Sequence, residues 1–389
     1  MAKALCHFDF LVIHVILLLL ISFKALGGPP DKSGSALFIF GDSTVDTGNN
    51  NYIITIDENR ANRKPYGQNG FREPTGRFSD GRVIVDFIAE YSNLPLIPPF
   101  LQPSAKYVKG VNFASGGAGV LSSTNKGLAI DLETQLKHFE EVRVSLTRKL
   151  GAAEAKQLIS EAVYFISIGS NDYLGGYLGN PKMQELHDPK HYVGMVIGNY
   201  TKAIQELFAK GARRFGFLSL CPLGCLPALR AVNPKANKGG CFEEASALAL
   251  AHNSALNAAL ASLEHQLRGF KYCNPDFYNW LHDRISNPYK YGFADGLNAC
   301  CGTGPYRGVY SCGGTEKVKD YQLCESSDLH VWWDSFHATE RIHEQIAKAI
   351  WNGTNWPYNL EDLFLNREKS LVEIAYDPEY TEYITNLAN

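Results

Sequence analysis

Neither sign of charge is in excess in this 389-residue chain: 37 Lys and Arg stand against 40 Asp and Glu, a net charge of −3. That balance leaves no electrostatic footprint for nucleic acid or an anionic membrane, so no phosphate-tracking partner is expected. Internal repeats and long linkers are missing, which excludes solenoids and tethered arrays. Beyond the N-terminus no run is apolar enough to span a bilayer, so stable membrane insertion is not expected. Several catalytic signatures are also missing. No G-x-S-x-G occurs, which excludes the nucleophile elbow of the α/β-hydrolases. His343-Glu344-Gln345-Ile346-Ala347 lacks the second histidine of a zinc protease. There is no Walker A sequence, and the glycines of Gly116–Gly119 do not match G-x-G-x-x-G. What remains, 45% hydrophobic and 12% aromatic residues with 20% charged, describes a globular chain rather than a disordered or fibrous one.

The N-terminus reads as a secretory leader. Lys3 supplies a positive start, an apolar run follows over Leu11–Ile21 with only His14 interrupting it, and small residues stand at Ala25–Gly28 before Pro29. The run is shorter than the roughly 20 apolar residues of a membrane span. The expectation is a leader over 1–27, removed to leave 28–389 as one exported domain. Export changes the reading of the nine cysteines. Without Cys6, an even set remains: Cys221, Cys225, Cys241, Cys273, Cys300, Cys301, Cys312 and Cys324. In an oxidising compartment these are available for structural disulfides, whose connectivity the sequence leaves open. They do not form paired C-x₂-C knuckles, so no metal site is expected. Asn199-Tyr200-Thr201 and Asn352-Gly353-Thr354 are glycosylation sequons on the same route.

Short apolar runs alternate with helical patterns. Ala36–Phe40, Ala162–Ile168, Phe215–Leu220 and Phe270–Tyr272 read as strands. Val83–Tyr91, Leu132–Leu150, Val193–Ala209, Phe242–Leu267 and His337–Ile350 read as helices. Such alternation predicts a mainly parallel sheet covered on both faces.

In that architecture ligands bind at the carboxyl ends of strands. Gly41-Asp42-Ser43 follows the first strand, Gly169-Ser170-Asn171-Asp172 the second, and the glycine-rich stretch Gly110–Gly119 lies between. Asp334-Ser335-Phe336-His337 precedes the last helix. A serine hydroxyl needs a base, an imidazole exchanges protons near neutrality, and a carboxylate three residues away can hold its useful tautomer. A tetrahedral intermediate needs oxyanion donors: the Ser43 N–H, a backbone N–H of Ser115–Gly117 and the Asn171 amide qualify. Singly, each piece also reads as a turn, a tight connection or a helix cap. Trp332 and Trp333 are candidates for a pocket wall or for core packing.

The segments FGDSTVDTGNNN, GVNFASGGAG, IGSND and DSFHATE resemble the ordered blocks of the GDSL esterase/lipases of the SGNH hydrolase superfamily, and most resemble its plant secreted branch. Pro65-Tyr66-Gly67, Pro74–Arg82 and Cys221–Pro227 share that resemblance, which runs from Ala36 to Trp351. It implies a flavodoxin-like three-layer α/β/α sandwich. It implies Ser43 as nucleophile, His337 as base, Asp334 as its orienting partner, and Ser43, Gly116 and Asn171 as the oxyanion hole, with Gly117 the alternative glycine. It implies hydrolysis of small-molecule or lipid esters through an acyl-serine, without a cofactor. Acyl transfer to an alcohol is the rival reading, and a non-catalytic secreted binding protein the remaining one. Two positions depart from the pattern: Thr44 replaces a leucine, and Ala338 replaces a proline after His337.

Overall fold

The computed structural model describes residues 36–232, 239–309, 311–315, 318–353 and 358–367. The expected leader and Thr354 of the second sequon lie outside them. The centre is a five-stranded sheet of β1 (Leu37–Gly41), β2 (Gly110–Asn112), β3 (Val163–Ser167), β4 (Arg214–Phe217) and β5 (Lys271–Cys273). Its order is β2-β1-β3-β4-β5 and every pairing is parallel. Both LFIFG of β1 and VYFIS of β3 are buried at all positions, which explains their unbroken apolar character: helices cover both faces. The sequence reads Gly110–Gly119 as a glycine-rich loop, and its first three residues instead form β2. These three residues are too few to show a pattern.

Helices α1 (Ile84–Tyr91), α2 (Leu132–Leu150), α3 (Ala152–Glu161), α4 (Ser170–Tyr173) and α5 (Pro181–Leu186) occupy the first half. The remainder are α6 (Pro189–Ala209), α7 (Pro227–Val232), α8 (Glu243–Gln266), α9 (Phe277–Ser286), α10 (Glu340–Asn352) and α11 (Leu360–Leu365). The Asp131 carboxylate accepts the Thr134 N–H at 2.9 Å and so caps α2, which ends at Gly151 with φ of 91°. Between these stops, Leu132, Leu136, Phe139, Val142 and Leu146 form the buried stripe. Phe139 seats α2 on the sheet, its ring 5.3 Å from Phe38 and 5.7 Å from Tyr164. Truncating a ring buried this way typically costs about 3–5 kcal/mol.

A second, smaller assembly completes the chain. β6 (Asp295–Ala299) pairs in parallel with β9 (His330–Trp332), and β7 (Cys301–Gly302) pairs antiparallel with β8 (Gln322–Leu323). Its satellite core comprises Ala61, Tyr66, Phe78, Trp333 and Cys300, Cys301 and Cys312. Disulfides join Cys300 to Cys324, Cys301 to Cys312 and, elsewhere, Cys225 to Cys241. Of the eight cysteines expected to be available for pairing, Cys221 and Cys273 remain thiols. Burial pushes each up to about 12, which leaves both as unreactive packing groups. Trp332 and Trp333 are fully buried, so they are core residues rather than pocket walls. α10 starts at Glu340, not His337: the Asp334 carboxylate closes a tight turn that holds His337 outside the helix. Ala338 therefore does not sit in the helix's first turn.

Candidate active site

The order of the central sheet creates the site. From β1 the chain crosses to β2 on one side, then returns to β3 on the other, so the strand order reverses at the carboxyl ends of β1 and β3, the place where such sheets bind ligands. Ser43 leaves one of these ends and Asn171 the other. The strands approach so closely there that a Cβ on Gly41 would lie 2.2 Å from the Ser167 carbonyl oxygen. Gln135 of α2 clamps the same glycine, accepting its N–H at 2.9 Å and donating to its carbonyl at 2.8 Å. Asp42 then turns the chain by accepting the Thr44 N–H at 3.0 Å. Burial pushes the Asp42 carboxyl up to about 6.

Ser43 is half-buried, and its hydroxyl lies 2.8 Å from Nε2 of His337. The other side of that imidazole meets Asp334, with Nδ1 2.8 Å from Oδ1 and 3.0 Å from Oδ2. Oδ1 also accepts the backbone N–H groups of Phe336 and His337, at 2.9 and 2.8 Å. Oδ2 accepts the Tyr66 hydroxyl at 2.7 Å. Burial raises the Asp334 carboxyl, but the His337 charge, its hydrogen bond and these further donors together bring it below the ordinary aspartate range. An ionised carboxylate only accepts, so Nδ1 carries the imidazole proton and Nε2 is free to accept from Ser43. The serine, histidine and aspartate proposed from sequence are therefore brought into one hydrogen-bonded line.

The expected oxyanion donors divide. Asn171, half-buried on α4, donates one amide N–H to the Ala118 carbonyl at 2.9 Å and has a second hydrogen to donate. The Ser43 and Gly117 N–H groups have no hydrogen-bond partner among the described residues. Gly116 is different: its N–H donates to Asp46 Oδ2 at 3.1 Å, so it is not the open donor that the sequence reading preferred. Its lack of a side chain has another reason. A Cβ on Gly116 would lie 2.6 Å from Cζ of Phe78, which is the residue packed beneath it. Gly117, at φ of 86°, is in the left-handed region that glycine enters at least cost.

Residues that sequence reasoning did not assign hold this arrangement. Asp46 accepts from Gly48 N–H at 2.7 Å and Asn49 N–H at 2.8 Å as well as from Gly116. Asn50 Nδ2 donates to the Gly116 carbonyl at 2.8 Å, and Asp172 accepts the Val120 and Leu121 N–H groups at 2.8 and 3.0 Å. Burial pushes Asp46 and Asp172 up to about 6. On the His337 side, the Phe78 ring lies 4.8 Å from the imidazole, and Arg77 makes a buried two-pronged ion pair with Asp86. Asp80 caps α10 by accepting the Glu340 N–H at 2.7 Å. The density of polar residues in Asp46–Asn51 and Pro74–Arg82 was the visible signal. Without three dimensions it could not be distinguished from solvated loops.

Residues 37–350 match the family described as GDSL-like Lipase/Acylhydrolase. The chain belongs to that family. GDSL esterase/lipase 5 of Arabidopsis thaliana is 50% identical over 343 residues, covering 86% of this chain and 88% of that protein. GDSL esterase/lipase 1 of the same plant is 47% identical, covering 85% and 90%. A GDSL lipase of Tanacetum cinerariifolium is 44% identical, covering 86% and 88%. Like its GDSL relatives, the chain is a carboxylic ester hydrolase with the fold of that family. Among the described residues no group of three or more His, Cys, Asp or Glu is arranged to hold a metal ion. Nor does any described helix have the length and apolarity to cross a membrane. Asn199 is exposed on α6 and Asn352 is exposed at the end of α10.

Proposed function

We infer that this GDSL hydrolase cleaves carboxylic esters of lipids or small acyl compounds through an acyl-serine intermediate. The observation that carries the reading is the continuous line Ser43–His337–Asp334, with Ser43 and His337 both partly exposed. His337 Nε2 takes the Ser43 proton as Oγ bonds to the ester carbonyl carbon. The resulting oxyanion is held by the N–H groups of Ser43 and Gly117 and by the Asn171 amide. Collapse breaks the ester C–O bond, and His337 returns the proton to the departing alcohol. Water then repeats the sequence, leaving a carboxylic acid and free Ser43.

The leader over 1–27 and the three disulfides support an exported enzyme of one domain over 28–389, with Asn199 and Asn352 as glycan acceptors. The purified mature protein is expected to cleave short p-nitrophenyl esters and to be labelled at Ser43 by a fluorophosphonate. Ser43→Ala should remove both properties; labelling that survives unchanged would eliminate Ser43 as the nucleophile. Running the reaction in water with and without an added alcohol, and identifying the products, measures the share of hydrolysis.

A further inference from the structure

Asp334 has a partner that a Ser-His-Asp line does not itself require. Tyr66 is fully buried in the satellite core, its ring 6.1 Å from Trp333 and 6.3 Å from Phe78. Its hydroxyl donates to Asp334 Oδ2 at 2.7 Å and lies 2.8 Å from the Ser311 hydroxyl. A phenol has a single proton, and an ionised Asp334 can only accept, so that proton belongs to Asp334. Ser311 must then donate to Tyr66. Burial and the Asp334 charge push the phenol well above its ordinary range, so it keeps its proton throughout the working range of an esterase. The order of donation is therefore Ser311 to Tyr66 to Asp334, with His337 approaching Asp334 from its other side.

Ser311 is itself held in place. It adopts φ of 48°, in the left-handed region, and directly precedes Cys312, which is bonded to Cys301. Cys301 also donates its backbone N–H to the Trp333 carbonyl at 2.7 Å, one residue before Asp334. The disulfide thus ties together the segment that carries Ser311 and the segment that carries the orienting aspartate. We propose that Tyr66 is a positioning residue, its phenol fixing the Asp334 carboxylate against His337, and that the Cys301–Cys312 disulfide acts through Ser311 to fix the phenol. The proposal rests on the assignment of Ser43, His337 and Asp334 made above.

Tyr66→Phe keeps the ring packing and removes the hydroxyl. A lost hydrogen bond to a charged group predicts a fall in kcat of about 10- to 100-fold, with KM nearly unchanged. The low-field proton resonance of the Nδ1–H in the His337–Asp334 hydrogen bond should shift in the same variant. Ser311→Ala should give a smaller loss of the same kind. Cys301→Ser combined with Cys312→Ser should lower kcat in the wild-type background and add little in the Tyr66→Phe background, because both changes act through one hydroxyl. Wild-type kcat in Tyr66→Phe would overturn the proposal. So would a kcat loss accompanied by an unshifted resonance and a lowered unfolding midpoint, since that pattern is purely structural. Fully additive losses would remove the disulfide from it. Ser43→Ala in parallel separates the two levels: if it stays active, the catalytic assignment itself has failed.

Discussion

The two halves of the site are held by different physical means. Ser43 and Asn171 emerge from adjacent strands of the main sheet, where a large apolar core and continuous parallel pairing set their separation. Asp334 and His337 follow β9, a three-residue strand of a two-stranded pair, and rest on a satellite core of seven buried residues. So small a core buries little apolar surface and supplies limited stability. Two disulfides cross-link it instead. The carboxylates of the site also differ electrostatically. Burial raises Asp42, Asp46 and Asp172 around Ser43 to about 6 and raises Asp80 on the His337 side as well, whereas the His337 charge and the donors around it hold Asp334 below its ordinary value. Around Ser43, side chains such as Gln135 and Asp42 add to the backbone pairing of the sheet, whereas Asp334 on its loop relies on the turn N–H groups, the Tyr66 hydroxyl and His337.

That contrast can be tested, beginning with the largest effect. Asp334→Asn leaves the turn nearly isosteric but offers His337 the wrong hydrogen-bond pattern, so kcat should fall by about 10⁴. Activity equal to wild type would show that the orienting role lies elsewhere. Arg77→Ala leaves the Asp86 carboxylate buried without its guanidinium, a change that typically costs about 3–5 kcal/mol. It should lower the urea midpoint and, because Phe78 adjoins Arg77 and lies under His337, reduce kcat together with it. A stability loss with kcat intact would break the proposed link between that segment and the imidazole. Asn171→Ala should show the opposite profile, a drop of about 10²–10³ in kcat with little change in midpoint. If stability also collapsed, the sheet side would not be the independent scaffold described above.

The smallest effect concerns pH. Between the unfolded aspartate value of 3.8 and about 6, the folded protein keeps protons on Asp42, Asp46 and Asp172 that the unfolded chain has lost. The unfolded state then binds fewer protons, so these groups make stability fall as pH rises through that window. Asp334 works in the other direction: its contribution is present above the unfolded value and is lost as pH falls through the folded one. Asp46→Asn removes one of the raised groups. Urea midpoints measured from about pH 4 to pH 6.5 should therefore fall less steeply in this variant than in the wild type. An unchanged slope would mean that Asp46 titrates alike in both states.

The main sheet was legible because buried parallel strands have an unbroken apolar signature; β1 and β3 were found within one residue of each end. The long helices were legible through the helical spacing of their apolar residues. β2, β7 and β8 were not, because strands of two or three residues are specified by their neighbours rather than by their own composition. Ser43, Asn171, Asp334 and His337 could be picked out as chemical types at strand ends. Which glycine keeps a free N–H could not, since that depends on Asp46 reaching back across 70 positions to bond Gly116.

By itself, then, the order of residues determined a parallel α/β core and a serine, histidine and aspartate waiting to be brought together. Periodicity and reactive type are local properties, and a linear sequence carries them. Tertiary structure decided that His337 stands on a turn rather than a helix, that six of eight cysteines pair, and that Tyr66 and Ser311 stand behind Asp334. The turn at His337 is closed locally by Asp334, whereas the cysteine pairs and the Tyr66 and Ser311 contacts join residues further apart in the chain, where hydrogen-bond geometry and burial, not composition, select the partner.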